Sequence, residues 1–286
     1  MIYDAPLFNP GGDRYILAEL GDEMSFDLNF RVHALVAAIR AARAPGIIEL
    51  IPELASLLIS YDPGLTTYEA ITRHVSELCI AATGSGDQEL ASRLYTVPVL
   101  YFDPWTTECI NDYRAKVQDK TPDPDMVCEL NKLSSRAELK RVHSSSEYWV
   151  AALGFWPGLC SLMPLDERAR LFAPKYNPPR TWTPKGTIGM GGALTCIYPD
   201  QTPGGYQLLG RTPMPIWDRS QRLRAFKKSL ALFKPGDRVR FAPVELDEYE
   251  WIAARVEDGT YEHPYVDYQK FSVSAYQSWQ AEITDA

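Results

Sequence analysis

The segment from residue 154 to residue 215 limits the possible folds more than any other part of the chain. It holds ten prolines and nine glycines, with short β-prone pieces between them. Proline removes a backbone donor and clashes with the preceding helical turn, and glycine weakens a helix interior. A helix longer than about two turns is therefore excluded here, and the pattern predicts a closed or rolled β-sheet.

The N-terminal part follows a different pattern. Apolar residues in 25–43 recur at helical spacing behind Ser25, which can cap a helix. The order of predicted elements, β-α-β-β-α, is typical of a ferredoxin-like half. These elements are a strand at 13–20, a helix at 25–43, strands in IIELIPEL and SLLISYDP, a helix at 66–82 and a loop at Gly84-Ser85-Gly86.

The remaining patterns complete an α+β chain. They predict a strand at 92–102, helices at 104–118, 123–142 and 247–257, strands in FKPGDRVRFAPVEL and at 265–273, and a last amphipathic turn in SAYQSWQAEI. The expected domains are 1–92, 93–244 with a helical insertion near 104–142, and an acidic C-terminal extension at 245–286.

Charge is unevenly distributed along the chain. The net charge is −8 overall, +9 within 175–240 and −8 within 245–286. The basic segment could hold a carboxylate or phosphate, or it could be a solvated basic face. An isoelectric point near 5.1 argues against general nucleic-acid binding. No run of about 18 apolar residues and no secretory signal occurs, so we expect a cytoplasmic protein without a membrane span.

Several common site motifs are missing from the sequence. Five cysteines without a CxxC pair and four scattered histidines predict neither a disulfide framework nor a metal site. No GxGxxG, P-loop, GxSxG or SxxK motif occurs. We therefore expect no ATP site and no covalent nucleophile within this chain.

Four motifs occur in a characteristic order: HSxxxY, GFxPG, PGGYQLLGRTP and PGDRVRF. With the N-terminal stretch PGIIELIPELASLLISYDP, they make nearly the whole chain similar to the allophanate hydrolase subunit 1 family. That family is also described as the B-type subunit of 5-oxoprolinase and as the sporulation-kinase-inhibitor family. Within it, KYNPPRTWTP, GMGGALTCIY and GTYEHPYVDYQKFSVSAYQSW resemble the carboxyltransferase region of urea carboxylase.

The resemblance implies an architecture and a set of partners. It implies a ferredoxin-like N-terminal half, a cyclophilin-like β-barrel as the C-terminal half, and a site in a cleft shared with an allophanate hydrolase subunit 2-type companion. No biotinyl-lysine motif occurs here. Carboxybiotin and ATP would therefore come from partner subunits, with a biotin carboxylase and a biotin carrier among them.

Three residues are the candidate catalytic groups. His143, in the family's HS motif, could hold or deprotonate a ureido or lactam nitrogen, or could be a structural histidine bonded to the Ser144–Ser146 turn. Arg211 could bind a carboxylate bidentately, or pair with a buried acid. Gln207 offers the donor and acceptor that a urea or amide group needs.

The candidate substrate-binding residues lie in the same proline- and glycine-rich segment. Arg180 has the same two interpretations as Arg211, and the two glycines would let the backbone approach a ligand. Tyrosine hydroxyls could reach the same pocket, although such residues are more often core aromatics. These candidates are Arg180, Tyr176, Tyr198, Tyr206, Gly204 and Gly205.

Three functions remain open at this point. The first is one subunit of a biotin-dependent carboxyltransferase that carries CO₂ to a urea, amide or lactam nitrogen. The second is the B-type subunit of an ATP-dependent 5-oxoprolinase-type lactam hydrolase without biotin. The third is a regulatory binding module without chemistry. The urea carboxylase-like tail favours the first, whereas His143 and the GFWPG piece favour the second.

Overall fold

The computed structural model describes residues 1–83 and 89–284, without the side chains of 81–83 and 268–269. Contacts between Cα atoms divide the chain into two units, residues 1–91 with 270–286, and residues 92–269. The predicted loop at Gly84-Ser85-Gly86 lies outside the described residues. The chain is a mixed α/β protein.

The first unit contains a four-stranded antiparallel sheet in the order β1-β2-β4-β3. Its elements are β1 (Ile2–Gly11), β2 (Tyr15–Gly21), α1 (Phe26–Ala42), β3 (Ile47–Pro52), β4 (Ser56–Tyr61) and α2 (Tyr68–Thr83). Ser25 caps α1 by accepting a hydrogen bond from Leu28 N at 3.3 Å, as predicted. Sequence patterns do not predict strand β1, since Pro6 and Pro10 interrupt its alternation; prolines are tolerated because β1 is an edge strand.

The second unit is built on a sheet that closes on itself. Its strands run in the order β12-β9-β10-β7-β6-β13-β5-β14, and β12 also pairs with β5. Strands β8 and β11 form a separate pair. The closure agrees with the prediction from the proline and glycine density. The strands are β5 (Glu89–Tyr101), β6 (Glu147–Leu153), β7 (Cys160–Pro164), β8 (Arg180–Thr183), β9 (Thr187–Gly191), β10 (Leu194–Ile197), β11 (Thr202–Gly204), β12 (Gln207–Arg211), β13 (Arg238–Pro243) and β14 (Tyr265–Ser272).

The predicted single helix at 123–142 is wrong, because the structure has two helices there. The first, α4 (Asp123–Leu130), ends where Asn131 Nδ2 donates to Val127 O at 2.8 Å and Lys132 takes a left-handed φ of 55°. The second, α5 (Arg136–Ser144), begins at its own cap, Ser135, which accepts from Glu138 N. The helix α3 (Pro104–Lys116) precedes them and begins at Asp103.

The C-terminal segment is divided between the two units rather than forming one extension. In α6 (Leu246–Glu257), Tyr249 stacks on Trp105 of the second unit, with ring centroids 5.1 Å apart. In α7 (Val273–Thr284), Tyr276 packs against Phe26 of the first unit at 5.3 Å. The net charge of this segment does not indicate these aromatic contacts. No helix in the described ranges is long and apolar enough to cross a bilayer.

Candidate functional site

A buried carboxylate lies at the centre of a polar cluster in the second unit. The Asp123 side chain, at the start of α4, is fully buried. It accepts hydrogen bonds from Lys120 Nζ at 2.6 Å, from Leu208 N at 2.7 Å and from the Tyr176 hydroxyl. Burying a carboxylate without such donors costs free energy of desolvation. The hydrogen bonds therefore hold the start of α4 against strand β12 and the loop before β8.

Lys120 connects the carboxylate to an amide. Its Nζ also donates to Gln207 Oε1 at 2.8 Å and lies 3.9 Å from the centroid of the Tyr176 ring. Burial lowers the pKa of Lys120, and the neighbouring Asp123 opposes that change. Gln207 Nε2 donates to Pro174 O at 2.6 Å, so the direction of the amide is fixed. With 12% of its side chain exposed, Lys120 remains within reach of solvent.

Arg180 supplies a second buried cation. Its residue is 2% exposed, its Nη1 donates to Tyr206 O at 2.7 Å, and its Cζ lies 4.3 Å from the Tyr176 ring centroid. Its Nε and Nη2 donate to the Thr183 hydroxyl at 3.3 Å. Among the described residues, Arg180 forms no salt bridge with a carboxylate, so the expected alternative of an acid pair is not observed. The surroundings of Tyr176 thus contain two cations, Lys120 and Arg180, and one carboxylate, Asp123, so positive charge is in excess.

The tyrosines of this region remain protonated near neutral pH. Burial raises the pKa of Tyr206 to about 12 and raises the pKa values of Tyr176 and Tyr198 well above their usual range. Phenolic groups in this state donate hydrogen bonds rather than accept protons.

The two glycines have different roles in this packing. A Cβ at Gly204 would lie 2.7 Å from Cε1 of Tyr198, so only glycine admits that ring. Gly205 contributes its carbonyl, which accepts from Tyr176 N at 2.6 Å.

The structure brings seven of the nine candidate residues into one region. We call its polar part the Lys120 cluster: Lys120, Asp123, Tyr176, Arg180, Tyr206 and Gln207. Sequence reasoning missed Lys120 and Asp123. The signal was weak, because an acid in TPDP at the start of a predicted helix is usually a solvated residue.

His143 lies elsewhere, in the barrel interior. Its Nδ1 is 2.7 Å from the Tyr101 hydroxyl, its Nε2 is 3.4 Å from the Thr195 hydroxyl, and its ring stacks on Phe241. Burial lowers the pKa of His143 to about 3, so the ring is neutral. These partners are those of a structural histidine, although they are not the Ser144–Ser146 turn expected for that alternative.

Arg211 also lies apart from the Lys120 cluster. Its Nε donates to Lys185 O at 2.6 Å, and its Cζ lies 5.0 Å from the Trp105 ring centroid. It lines a cavity of about 200 Å³ that Tyr198 lines as well. No salt bridge to Arg211 occurs within the described part of the chain.

Neither region is a metal centre by composition. Across residues 1–83 and 89–284, no group of three or more His, Cys, Asp or Glu side chains could hold a metal ion. The Lys120 cluster offers two cations, protonated tyrosines and one fixed amide. This set suits a ligand that carries or develops negative charge.

Comparison with known proteins places the chain in a family. Residues 6–226 match the family described as carboxyltransferase domain, subdomains C and D. The urea amidolyase of Saccharomyces cerevisiae is 30% identical over 96% of this chain, but the match covers 16% of that protein. The B-type subunit of the 5-oxoprolinase of Bacillus subtilis is 31% identical over 83% of this chain and 92% of its own length.

A solved structure matches the whole chain. The urea carboxylase of Kluyveromyces lactis superposes with a TM-score of 0.87 at 27% identity, covering 100% of this chain and 26% of that one. The chain thus spans only about a sixth of the urea amidolyases and a quarter of that urea carboxylase.

Proposed function

Because this chain belongs to the carboxyltransferase domain family, subdomains C and D, we propose that it is part of a biotin-dependent carboxyltransferase. In this proposal, CO₂ passes from carboxybiotin to a nitrogen of a urea, amide or lactam. Carboxybiotin, charged at the expense of ATP by partner subunits or domains, would supply the activated CO₂. The chain's own residues would bind and orient the reacting groups.

The observation that carries this proposal is the excess of buried positive charge in the Lys120 cluster. Lys120 pairs with Asp123, whereas no acid pairs with Arg180 among the described residues. A carboxylate bound at the cluster would neutralise this excess positive charge. Donors held in place before the reaction stabilise developing oxyanion charge without reorganisation.

The supporting residues hold these donors in position. Gln207 and Asp123 fix the Lys120 ammonium, and both cations lie within 4.3 Å of the Tyr176 ring centroid. Tyr176 and Tyr206 keep their protons, so their hydroxyls can donate but cannot act as bases at neutral pH. His143, buried and neutral, would act through the barrel packing rather than by touching the substrate.

The finer architecture belongs to the same proposal. The sheet order β1-β2-β4-β3 with α1 and α2 fits a ferredoxin-like unit in which β1 takes the place of the closing strand. The closed sheet of the second unit fits a cyclophilin-like barrel. A subunit 2-type companion, a biotin carboxylase and a biotin carrier are the partners we propose.

One observation favours the alternative, an ATP-dependent 5-oxoprolinase-type hydrolase without biotin. The match to the 5-oxoprolinase component of Bacillus subtilis covers 92% of that polypeptide, whereas the urea amidolyase matches cover about a sixth of much longer chains. Lactam opening also develops oxyanion charge, so the Lys120 cluster would serve it as well.

The test is to purify the chain with its native companions and assay two reactions. One assay measures incorporation of labelled bicarbonate into urea, amide or lactam acceptors, and the other measures ATP-dependent opening of 5-oxoproline. Avidin, which sequesters biotin, should abolish the activity if carboxybiotin is the donor. Opening of 5-oxoproline that avidin does not inhibit would contradict the proposal and support the 5-oxoprolinase-type hydrolase instead.

The Lys120→Met variant tests the site itself. Loss of one donor to developing charge should lower kcat about 100-fold to 1,000-fold. The matched control is Lys116→Met, four residues before at the end of α3, because Lys116 is 71% exposed and pairs with Asp112. A folded Lys120→Met complex with full activity would contradict the assignment of the cluster.

A further inference from the structure

A separate cavity in the second unit combines an apolar wall with a cationic rim. It measures about 200 Å³ and is bounded by α6 and by the chain that follows β12. Met214 and Ile216 are buried in its wall, and Val256 of α6 faces them. Sites for drug-sized ligands measure about 300–1,000 Å³, so this cavity fits a smaller molecule.

The Arg211 guanidinium is held rigidly at this cavity. Its Nε donates to the Lys185 carbonyl, and its Cζ lies 5.0 Å from the centroid of Trp105, which in turn stacks on Tyr249 at 5.1 Å. Within the described residues, neither Nη atom of Arg211 donates a hydrogen bond to another protein group. A guanidinium with a fixed plane and two available Nη groups matches the geometry of a carboxylate.

The rest of the rim carries charge of both signs, with cations in excess. Lys185 and Arg222 line the cavity together with Arg211, and Glu257 is the acid among the lining residues. Asp218 lies nearby, but its carboxylate already accepts from the backbone and hydroxyl of Ser220 and from Arg222 N. The buried Asp103 also interacts electrostatically with Arg211, but its carboxylate already accepts hydrogen bonds from the backbone and hydroxyl of Thr106. The two Nη groups of Arg211 are therefore the donors left for an anion at this rim.

We propose that this cavity binds a small carboxylate with an apolar flank. The carboxylate pairs with Arg211, and the flank packs on Met214, Ile216 and Val256. This binding site is distinct from the Lys120 cluster. Gln207 and Arg211 lie four residues apart on β12, roughly 13 Å along an extended strand, and a register shift between Leu208 and Gly210 interrupts the alternation of faces.

Calorimetric titration of the full chain with butyrate, and with butyramide as the uncharged analogue, tests the proposal. We expect butyrate to bind in about the millimolar range and butyramide to bind at least tenfold more weakly. Arg211→Gln should weaken butyrate binding at least tenfold. Ala253→Phe, which fills the cavity without changing any charge, should abolish it.

Two controls separate this site from its surroundings. Arg219→Gln, at an exposed arginine over Trp217 outside the cavity lining, should leave butyrate binding unchanged. Lys120→Met should also leave it unchanged, so failure here and failure of the proposed transfer site are distinguishable. Equal binding of butyrate and butyramide, tighter binding of inorganic phosphate, or full binding by folded Arg211→Gln would overturn the proposal.

Discussion

His143 and Lys120 are two bases whose pKa values burial lowers, with different consequences. Among the described residues His143 has hydroxyl neighbours and no facing carboxylate, so its desolvation is not compensated and the ring stays neutral. Lys120 keeps Asp123 beside it, which favours the charged ammonium. At the scale of the residue, the partner of a buried base decides whether it serves packing or carries charge.

His143 should make the stability of the second unit depend on pH. The pKa of His143 is about 3 in the folded chain and 6.5 as the ordinary value, so the unfolded chain takes up the proton first as pH falls. The stabilisation is present above pH 6.5 and is lost as pH falls toward 3. From pH 6.5 to about 5.5 the free energy of unfolding should decline by about 1 kcal/mol from this residue alone.

Urea unfolding of the wild type and of His143→Gln at both pH values measures this contribution. The variant should have a lower free energy of unfolding at pH 6.5, and that free energy should fall by about 1 kcal/mol less between pH 6.5 and 5.5 than in the wild type. His263, whose pKa burial also lowers, contributes equally to both proteins. An identical decline in both proteins would show that His143 does not carry the effect.

Strand β12 closes the sheet of the second unit. It pairs with β9 and with β5. It also carries Gln207 at its start, in the Lys120 cluster, and Arg211 at its end, beside the separate cavity. Gly210 lies at the closure, where a Cβ would be 2.6 Å from Leu100 O and 2.9 Å from Tyr101 Cα.

Gly210→Ala should therefore destabilise the protein by about 2 kcal/mol or more, because backbone atoms of β5 cannot give way cheaply. Gly205→Ala is the matched control, since its added carbon would meet its nearest neighbour at an ordinary 3.5 Å. Urea unfolding of both variants provides the measurement. Comparable stability of the two variants would mean that the closure tolerates an added methyl group.

At the scale of the whole molecule, the chain forms two compact units and passes between them twice. Residues 1–91 and 270–286 form one unit, and residues 92–269 form the other. In the first unit, Tyr276 of α7 packs against Phe26 and Phe30 of α1, with centroids 5.3 Å and 5.6 Å apart. The last helix thus completes the unit in which the chain begins.

Tyr276→Ala should destabilise the first unit by about 3 kcal/mol, because it removes a buried aromatic side chain and leaves a cavity. Hydrogen exchange followed by mass spectrometry should show faster exchange in α1. Exchange in β6, within the second unit, should stay unchanged.

Trp251→Ala, at a residue that is 59% exposed on α6, is the control and should not alter exchange in α1. Unchanged exchange of α1 in Tyr276→Ala would contradict the role assigned to α7.

Local sequence patterns predicted most elements because their causes are local. Ser25 and the apolar spacing behind it determine α1, and the prolines and glycines of 154–215 allow only short strands. The motifs also predicted the family. The end of α4 before Lys132 was not predicted, because a lysine with a left-handed backbone conformation does not change the spacing of apolar residues.

Only the tertiary structure decided which polar residues meet. Lys120 and Gln207 are 87 residues apart in the chain, yet the closure of the barrel joins their side chains at 2.8 Å. The same closure buries His143 and leaves Arg211 at a different cavity, although sequence motifs grouped both with Gln207. The sequence by itself determined most helices and strands and the family, because those depend on residues close together in the chain. The sites depend on which distant segments pack together, and that is a property of the fold.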